Sequence, residues 1–330
     1  MSREAVAVAH PNIALSKYWG KRDVPGNFPA VPSLSLTLRG LSTRTRVVFD
    51  ERLAADELLL NGHATDGEPL TRVTGLLDRV RSAAGLAARA RVESTNDFPT
   101  ASGLASSASG FAALALAGAS AAGLAWDLSL VSDLARRSSA SAARSLYGGL
   151  VELPAGTAPL AEATILSARP VAPPEALDWR VVVCVTSEGQ KAHGSTDAMR
   201  ATALKSRLYG AWLALAPELH TSLLAALRRG DFAAAGELAE ESALAMHGCA
   251  LAAGFAYFQD STTRAIEAVR ALRRDGMPIF FTVDAGPHVK AFVMSRHAAR
   301  AADALGAVPG VLRTITCEPG HGARLEGRSP

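Results

Sequence analysis

The chain has 330 residues, of which 48% are hydrophobic and 20% are charged, with 34 basic and 31 acidic side chains. This composition is typical of a folded globular protein and excludes a chain that is disordered along its length. The formal net charge of +3 is small for this length, and no lysine or arginine run is present, so we expect no nucleic-acid partner.

Cysteine spacing and the N-terminal residues bear on the cellular compartment. Cys184, Cys249 and Cys317 lie far apart and lack metal-ligand spacing, which predicts free thiols in a reducing cytoplasm. Residues 3–11 contain two charged side chains and a His-Pro pair, unlike the apolar core of a secretion signal. The charge-free stretch Phe98–Trp126 consists mainly of glycine, alanine and serine, so we expect it inside the fold and not in a membrane.

Short runs rich in valine, isoleucine and threonine predict seven strands. In chain order they are Glu4–Ala9, Ser33–Leu38, Arg44–Phe49, Ala90–Ser94, Arg180–Thr186, Ile279–Val283 and Leu312–Cys317. Apolar residues spaced by three and four predict a helix over Leu70–Val80 and two more within Leu223–Met246, separated near Gly230. These patterns predict the α+β class.

A cluster of prolines divides the chain near its middle. Pro170, Pro173 and Pro174 separate an apolar segment from the predicted strand Arg180–Thr186. We therefore predict two domains, residues 1–172 and residues 173–330.

The first segment with chemical character is the glycine- and serine-rich stretch Pro99–Gly110, which leads into an alanine-rich helix. A helix N-terminus offers unpaired N–H groups, and small side chains let a phosphate approach them. The Gly-Lys-Ser/Thr sequence of a Walker loop is absent, so the stretch predicts a different nucleotide loop, whose serines could also hold magnesium. A tightly packed helix without a ligand explains the same residues.

The second segment, Asn12–Asp23, combines Lys17, Tyr18 and Lys21 in a chain that has only five lysines. Lysine ammonium groups bind phosphate oxygens and stabilise negative charge. The segment predicts an oxyanion site, with a solvated loop that carries an aromatic side chain as the alternative.

The third segment, Arg136–Gly149, surrounds Arg144 with serine and alanine. Ser139, Ser141 and nearby N–H groups could hold a phosphate while the arginine binds a carboxylate or a second phosphate. A helix with surface arginines is the alternative.

The fourth segment ends the predicted strand Ile279–Val283 with Asp284, before a Gly-Pro turn. A carboxylate at a strand end can accept a proton from a hydroxyl group. A turn-forming aspartate is the alternative, and we expect the side chain to be exposed. A fifth segment, Gly194–Met199, by itself indicates only a helix cap.

Taken in this order, the five segments resemble the diphosphomevalonate decarboxylase family of the GHMP small-molecule kinase superfamily. The Lys-Tyr-Trp-Gly-Lys and Ser-Ala-x-Arg-Ser sequences separate this family from ordinary superfamily kinases. The resemblance covers most of the chain. It implies a two-domain α+β GHMP kinase fold, with a ribosomal-protein-like N-terminal domain, a ferredoxin-like C-terminal domain and an active site between them.

The resemblance also implies a reaction. ATP, with Mg2+, would phosphorylate the tertiary 3-hydroxyl of (R)-5-diphosphomevalonate, and loss of phosphate and CO2 would give isopentenyl diphosphate and ADP in the mevalonate pathway. A cytoplasmic homodimer is implied as well. A decarboxylase of 5-phosphomevalonate or another phosphorylated 3-hydroxy acid, a kinase without decarboxylation and a silent nucleotide-binding protein are the alternatives.

By the same resemblance, Asp284 is the acid–base residue at the 3-hydroxyl, Lys17 stabilises its carboxylate, and Arg144 orients the substrate carboxylate. The implied substrate-binding residues are Asn12, Tyr18, Lys21, Ser139, Ser141, Ser195 and Met199. The implied ATP-binding residues are Gly103, Leu104, Ala105, Ser106 and Ser107. The resemblance assigns no metal ligands.

Some residues depart from the family pattern. Ser138–Ala143 stands where Gly-Ser-Gly-Ser-Ala-Cys is usual, and Val31–Ser33 stands where Asn-Ser-Ser is typical. Gly194 replaces a common serine, and Thr196 replaces the arginine of many bacterial members. These positions concern substrate recognition, so they leave the preference between diphosphate and monophosphate open.

Overall fold

The computed structural model describes residues 3–98, 106–157, 160–161, 164–189 and 194–327. The strands within these ranges are β1 (Glu4–Ala9), β2 (Asn12–Ser16), β3 (Ser33–Arg39), β4 (Thr43–Asp50), β5 (Glu57–Leu60), β6 (His63–Ala64), β7 (Arg89–Asn96), β8 (Leu150–Leu153), β9 (Arg169–Ala172), β10 (Trp179–Val185), β11 (Ile279–Val283), β12 (Val289–Met294), β13 (Arg313–Pro319) and β14 (Arg324–Leu325). The α-helices are α1 (Glu68–Ala84), α2 (Ser106–Ala121), α3 (Leu128–Ser138), α4 (Ser195–Lys205), α5 (Tyr209–Arg228), α6 (Phe232–Leu251), α7 (Asp260–Arg274) and α8 (Ala298–Gly306). Short 3-10 helices occupy Ala140–Leu146, Pro174–Ala176 and Ser295–His297.

The strands form two sheets. One has the order β14-β1-β4-β7-β5-β6, and the other has the order β11-β12-β10-β13-β3-β8-β9, with β2 paired beside β3. Among the described strands, β5 and β7 form a parallel pair and the other pairs are antiparallel. Helices and sheets share the same cores, which confirms the predicted α+β class.

The seven predicted strands are confirmed, with small differences at their ends. Strand β4 alternates between buried and more exposed side chains because one face of its sheet covers a core. The predicted helix over Leu70–Val80 is part of α1, and the two helices within Leu223–Met246 are parts of α5 and α6. Gly230 separates them with a φ of 71°, a left-handed conformation that glycine adopts without a steric penalty.

Helix α2 confirms the predicted burial of much of the charge-free stretch. Its alanines pack against Leu76 and Val80 of α1 and against Val47 and Val92 of the six-stranded sheet. Small side chains allow this close packing on several sides of the helix. In the part of the chain that is described, no helix is long and apolar enough to cross a membrane.

Two strands that position the candidate site were not predicted. Residues Asn12–Ser16 form β2, which is buried along its length and pairs with β3. The alternative of a solvated loop is therefore wrong for this part of the second segment. Strand β12 was not predicted, because Lys290 interrupts its run of apolar residues.

The C-terminal residues join the two halves of the chain. Pro319 of β13 pairs with Leu38 of β3, so the eight-stranded sheet contains strands from both halves. The chain then returns to the other sheet, where Leu325 of β14 pairs with Ala7 of β1. The connection is tight: a Cβ at Gly322 would lie 2.3 Å from the carbonyl oxygen of Leu146. The division into residues 1–172 and 173–330 stays a prediction.

Candidate active site

An aspartate lies between two buried lysines at the end of β11. The Lys17 Nζ donates a hydrogen bond of 2.7 Å to Oδ1 of Asp284 and one of 2.9 Å to the carbonyl of Ala14. The Lys290 Nζ lies 3.2 Å from the other carboxylate oxygen, Oδ2. Only 26% of the Asp284 side chain is exposed, so the expectation of an exposed acid is wrong. The aspartate takes part in an ionic cluster and is more than a turn former.

The sheet holds both lysines in place. Lys17 directly follows the buried strand β2, and its backbone N–H donates to the hydroxyl of Ser242 on α6. Lys290 lies on β12, opposite Thr282 of β11 and Val183 of β10. Because β12 is paired on both sides, the direction of the Lys290 side chain is fixed by the register.

Burial and charge oppose each other in this cluster. Burial raises the pKa of the Asp284 carboxyl, but Lys17 and Lys290 outweigh it and hold that pKa well below its ordinary range. Burial lowers the pKa of Lys17 to about 8, against the opposing effect of Asp284. The cluster therefore contains a carboxylate at neutral pH and an ammonium group that titrates just above it.

Arg144 lies beside this cluster on the 3-10 helix Ala140–Leu146. Its side chain is buried, and its Nε and Nη1 donate to the hydroxyls of Ser35 and Ser33 at 2.8 and 2.6 Å. The alternative of a surface arginine is therefore wrong. Burial lowers the pKa of Arg144 to about 10, so the guanidinium keeps its charge at neutral pH.

Asn12 connects Arg144 to the serines around it. Its side-chain oxygen accepts from Arg144 Nη2 at 3.3 Å, and its Nδ2 donates to the Ser141 carbonyl and the Ser145 hydroxyl. These hydrogen-bond partners of Arg144 are all neutral. A buried cation held by neutral oxygens favours the binding of an anion.

A cavity of about 280 Å³ lies at the N-terminal end of α2. Ser106, Ser107 and Phe111 line it from the helix, and Arg72 lines it from α1. The Arg72 guanidinium lies 4.6 Å from the centre of the Phe111 ring and donates to the Ser138 carbonyl. The cavity therefore borders the serine segment that leads to Arg144. The predicted ATP-binding residues Gly103, Leu104 and Ala105 lie outside the described residues.

The other predicted substrate-binding residues differ in their surroundings. The hydroxyls of Ser139 and Ser141 are 3.2 Å apart, and Lys21 Nζ lies 3.5 Å from the hydroxyl of Thr196. Ser195 is the first residue of α4, and the segment lies at the start of this helix, but Gly194 is the N-cap residue and no side chain caps the helix with a hydrogen bond. Their contacts with substrate stay predictions.

Tyr18 and Met199 are less accessible. The Tyr18 hydroxyl has no hydrogen-bond partner among the described residues, and burial raises its pKa above the ordinary value. Met199 is buried with Trp19 and Trp212 in an apolar cluster. Their contacts with substrate also stay predictions.

Three residues of the site were not assigned from the sequence. Lys290 had one signal, which is a lysine inside an apolar strand of a chain with five lysines. Ser33 had only its place in the Val31–Ser33 segment, and Ser35 had none, because only the fold brings the two serines to Arg144.

The fold and this cluster of charged residues define a GHMP-kinase-like α+β protein with a cationic site. Residues 9–165 match the model of the diphosphomevalonate decarboxylase-like N-terminal domain. Residues 181–316 match the model of the mevalonate 5-diphosphate decarboxylase C-terminal domain. The chain therefore belongs to the diphosphomevalonate decarboxylase family, which confirms the resemblance stated above.

Individual relatives agree with this assignment. A phosphomevalonate decarboxylase from Haloferax volcanii is 35% identical over 305 residues, which is 92% of each chain. The mevalonate diphosphate decarboxylase from Staphylococcus aureus has a TM-score of 0.92 at 35% identity, and the match covers 98% of each chain. A protein designated MDDEF, solved in complex with MVAPP, AMPPCP and magnesium, has a TM-score of 0.91 at 35% identity, with 98% of this chain and 99% of that chain covered. The predicted two-domain fold is confirmed.

Proposed function

We propose that this chain catalyses the ATP-dependent decarboxylation of (R)-5-diphosphomevalonate to isopentenyl diphosphate, with ADP, phosphate and CO2 as the other products. The observation that carries the proposal is the Lys17–Asp284 ion pair beside the buried Arg144. The reaction requires a proton acceptor at the 3-hydroxyl and a cation at the substrate carboxylate. Asp284 and Arg144 would supply the two groups, and family membership supports the same reaction.

Each charged residue has a distinct part in this reaction. Asp284 accepts the proton of the 3-hydroxyl as its oxygen becomes phosphorylated, and Lys17 balances the charge of the carboxylate. Arg144 holds the substrate carboxylate in place. When phosphate leaves, the electron pair of the bond to the carboxylate carbon forms the new double bond, and CO2 is released.

The cavity at α2 fits a nucleotide. Its apolar wall suits a base, while the N-terminus of α2, the hydroxyls of Ser106 and Ser107 and the Arg72 guanidinium suit phosphates. We propose that these residues hold ATP. The described residues contain no group of three or more histidine, cysteine, aspartate or glutamate side chains suited to a metal. Mg2+ would therefore be held mainly through the phosphates, whose charge it neutralises.

A second candidate substrate is 5-phosphomevalonate. The relative from Haloferax volcanii is named a phosphomevalonate decarboxylase. Ser138 and Ala140 also stand where glycine is usual, and Arg79 donates to the Ser138 hydroxyl at 2.7 Å. A side chain at these positions reduces the space in which backbone N–H groups could approach a second phosphate.

The experiment that tests the proposal measures CO2 and ADP release from both substrates in parallel, with ATP and magnesium. A higher kcat/KM for the diphosphate supports the main proposal. A higher kcat/KM for the monophosphate would identify 5-phosphomevalonate as the preferred substrate and contradict the main proposal. ADP without CO2 would identify a kinase, and no ATP turnover on either substrate would contradict both decarboxylase proposals.

The lowered pKa of Lys17 predicts an alkaline limit to activity. The reaction needs the ammonium form, which is lost as the pH rises through the pKa of about 8. We therefore expect kcat/KM, which reports the free enzyme, to fall above about pH 8. A Lys21→Arg variant that keeps this limit would exclude Lys21, whose pKa is also lowered by burial, as its source, and the exposed Lys205→Arg is the control. A wild-type kcat/KM that stays constant to pH 10 would contradict the prediction.

Lys21 should act in binding and not in chemistry. Its ammonium lies at the start of α4, away from the Lys17–Asp284 pair, so Lys21→Ala should raise the substrate KM by about tenfold or more with little change in kcat. Steady-state kinetics test this, and Lys205→Ala, an exposed lysine of α4, is the matched control. A collapse of kcat at an unchanged KM would contradict the binding role.

We also propose that the protein works as a homodimer in the cytoplasm, within isoprenoid lipid biosynthesis. The resemblance supports the dimer, and the three free, buried cysteines suit a reducing compartment. Sedimentation equilibrium tests the first point, and a monomer throughout the concentration range of the assay would contradict it.

A further inference from the structure

The position of Lys290 is chemically unusual. The side chain is completely buried on β12, between the apolar residues Val289 and Ala291. Its Nζ has no hydrogen-bond partner among the described residues, and its ionic partner is Oδ2 of Asp284 at 3.2 Å. A buried ammonium group destabilises a fold unless it is paired, and an apolar side chain of the same length would fill this space. We therefore look for the role of Lys290 in its interaction with Asp284.

The two carboxylate oxygens of Asp284 have different contacts. Oδ1 accepts a hydrogen bond from Lys17 at 2.7 Å, whereas Oδ2 has only the longer ionic contact with Lys290. Lys290 reaches the carboxylate from β12, a strand that is paired on both sides, while Lys17 reaches it from the residue directly after β2. Two cations on opposite oxygens restrict rotation of the carboxylate about its terminal bond.

We propose that Lys290 is a positioning residue for the decarboxylation, because it fixes Oδ2 of Asp284 and thereby orients Oδ1 toward the hydroxyl group that reacts. This inference rests on the proposed function, since it needs Asp284 as the proton acceptor. It assigns to Lys290 no contact with substrate. Its action on the reaction passes through Asp284 and Lys17.

The charged and titratable groups around the cluster define its electrostatics. Lys17, Lys290 and Arg144 are cations around the Asp284 carboxylate. Burial lowers the pKa of His247 on α6 to about 3, so that imidazole is neutral at physiological pH.

Two more groups face Lys290 from neighbouring elements. Burial raises the pKa of Cys184 on β10 to about 12, so its thiol is also neutral. The His288 ring, before β12, is buried and engages Thr186. The charge of Lys290 acts on both Lys17 and Asp284, and it lowers the pKa of each.

The test compares Lys290→Met with wild type, using Lys205→Met as the matched surface control. We expect kcat to fall by about tenfold or more while the KM of each substrate changes by less than about threefold, because the misplaced carboxylate affects the transition state more than binding. The acidic limb of the kcat/KM profile against pH, which depends on Asp284, and the alkaline limb, which depends on Lys17, should both move to higher pH. Removal of the Lys290 charge raises the pKa of each group. Lys290→Arg should restore part of the lost turnover if it folds.

A spectroscopic measurement makes the test independent of turnover. The chain has only five lysines, so the side-chain NMR signals of isotope-labelled lysine can be assigned with single variants. In Lys290→Met, the Lys17 signal should titrate at higher pH than in wild type. In Asp284→Asn, which retains both lysines, the Lys290 signal should shift.

These outcomes separate the inference from the proposed function. A wild-type protein without CO2 release would contradict the function, while the NMR titrations would still report the coupling. An unchanged Lys17 titration and unchanged pH limbs in a folded Lys290→Met variant would overturn the inference and leave Lys290 a packing residue. If Lys290→Met does not fold, an unshifted Lys290 signal in Asp284→Asn overturns it.

Discussion

Asp284→Asn is expected to lower the kcat of ATP-dependent CO2 release by about 10²- to 10⁴-fold, the range typical for loss of a general base. Asparagine keeps the shape of the side chain but cannot accept the proton of the 3-hydroxyl. The variant should still bind nucleotide, because the cavity at α2 shares no residue with the Asp284 cluster. Single-turnover measurements with saturating substrates test the effect on chemistry.

The control for this variant is Asp231→Asn. Asp231 caps α6 by accepting a hydrogen bond from the backbone N–H of Ala234, and it is exposed. Its replacement should leave kcat unchanged. Near-normal turnover in Asp284→Asn would remove Asp284 from the mechanism.

Asp284→Asn should also change the response of stability to pH. Without the carboxylate, the buried ammonium group of Lys17 loses its counter-ion, which favours its neutral form in the folded state. The unfolded chain then binds more protons than the folded one, so the free energy of unfolding should rise with pH through the alkaline range. Thermal unfolding at several pH values measures this rise relative to wild type.

Arg144→Gln is expected to lower kcat/KM by about 10²- to 10⁴-fold. The variant removes the guanidinium from the buried ion pair that Arg144 is proposed to form with the substrate carboxylate. Arg144→Lys should restore little of it. One ammonium group cannot replace the guanidinium fork that contacts Ser33 and Ser35 while it also holds a carboxylate. Steady-state kinetics of CO2 release measure both variants.

Exposed Arg207→Gln is the matched control for Arg144→Gln and should behave like wild type. Thermal unfolding of both variants separates loss of activity from loss of fold. A kcat/KM within tenfold of wild type in a folded Arg144→Gln variant would contradict the assigned role.

The residues of the site that could be predicted are those whose sequence neighbours already indicate their role. Asp284 follows a regular apolar strand and precedes a turn, and Lys17 belongs to a short segment with a distinctive sequence, so both stood out before any fold was known. The strands with uninterrupted β-branched residues were predicted for the same reason.

Long-range contacts account for what was missed. Ser33 and Ser35 lie more than 100 residues before Arg144, and only the pairing of β3 with β8 brings them to the 3-10 helix. Asp284 is held by two lysines that are distant in the chain, one directly after β2 and one on β12, whereas the strand end by itself predicts exposure. Pairing partners that are distant in the chain leave no local periodicity, so the sequence pattern does not indicate these contacts.

The return of the C-terminal residues to β1 has a consequence for folding during synthesis. The six-stranded sheet obtains its edge strand β14 from residues 324 and 325, which the ribosome makes after the other strands of both sheets. The strand that bridges the halves, β13, is also made late. Contacts between distant parts of the chain slow folding, and domains ordinarily fold in the order of their synthesis. In this protein the six-stranded sheet stays incomplete until residues 324 and 325 have been made, and the strands that carry Lys290 and Asp284 are joined to β3 only once β13 exists.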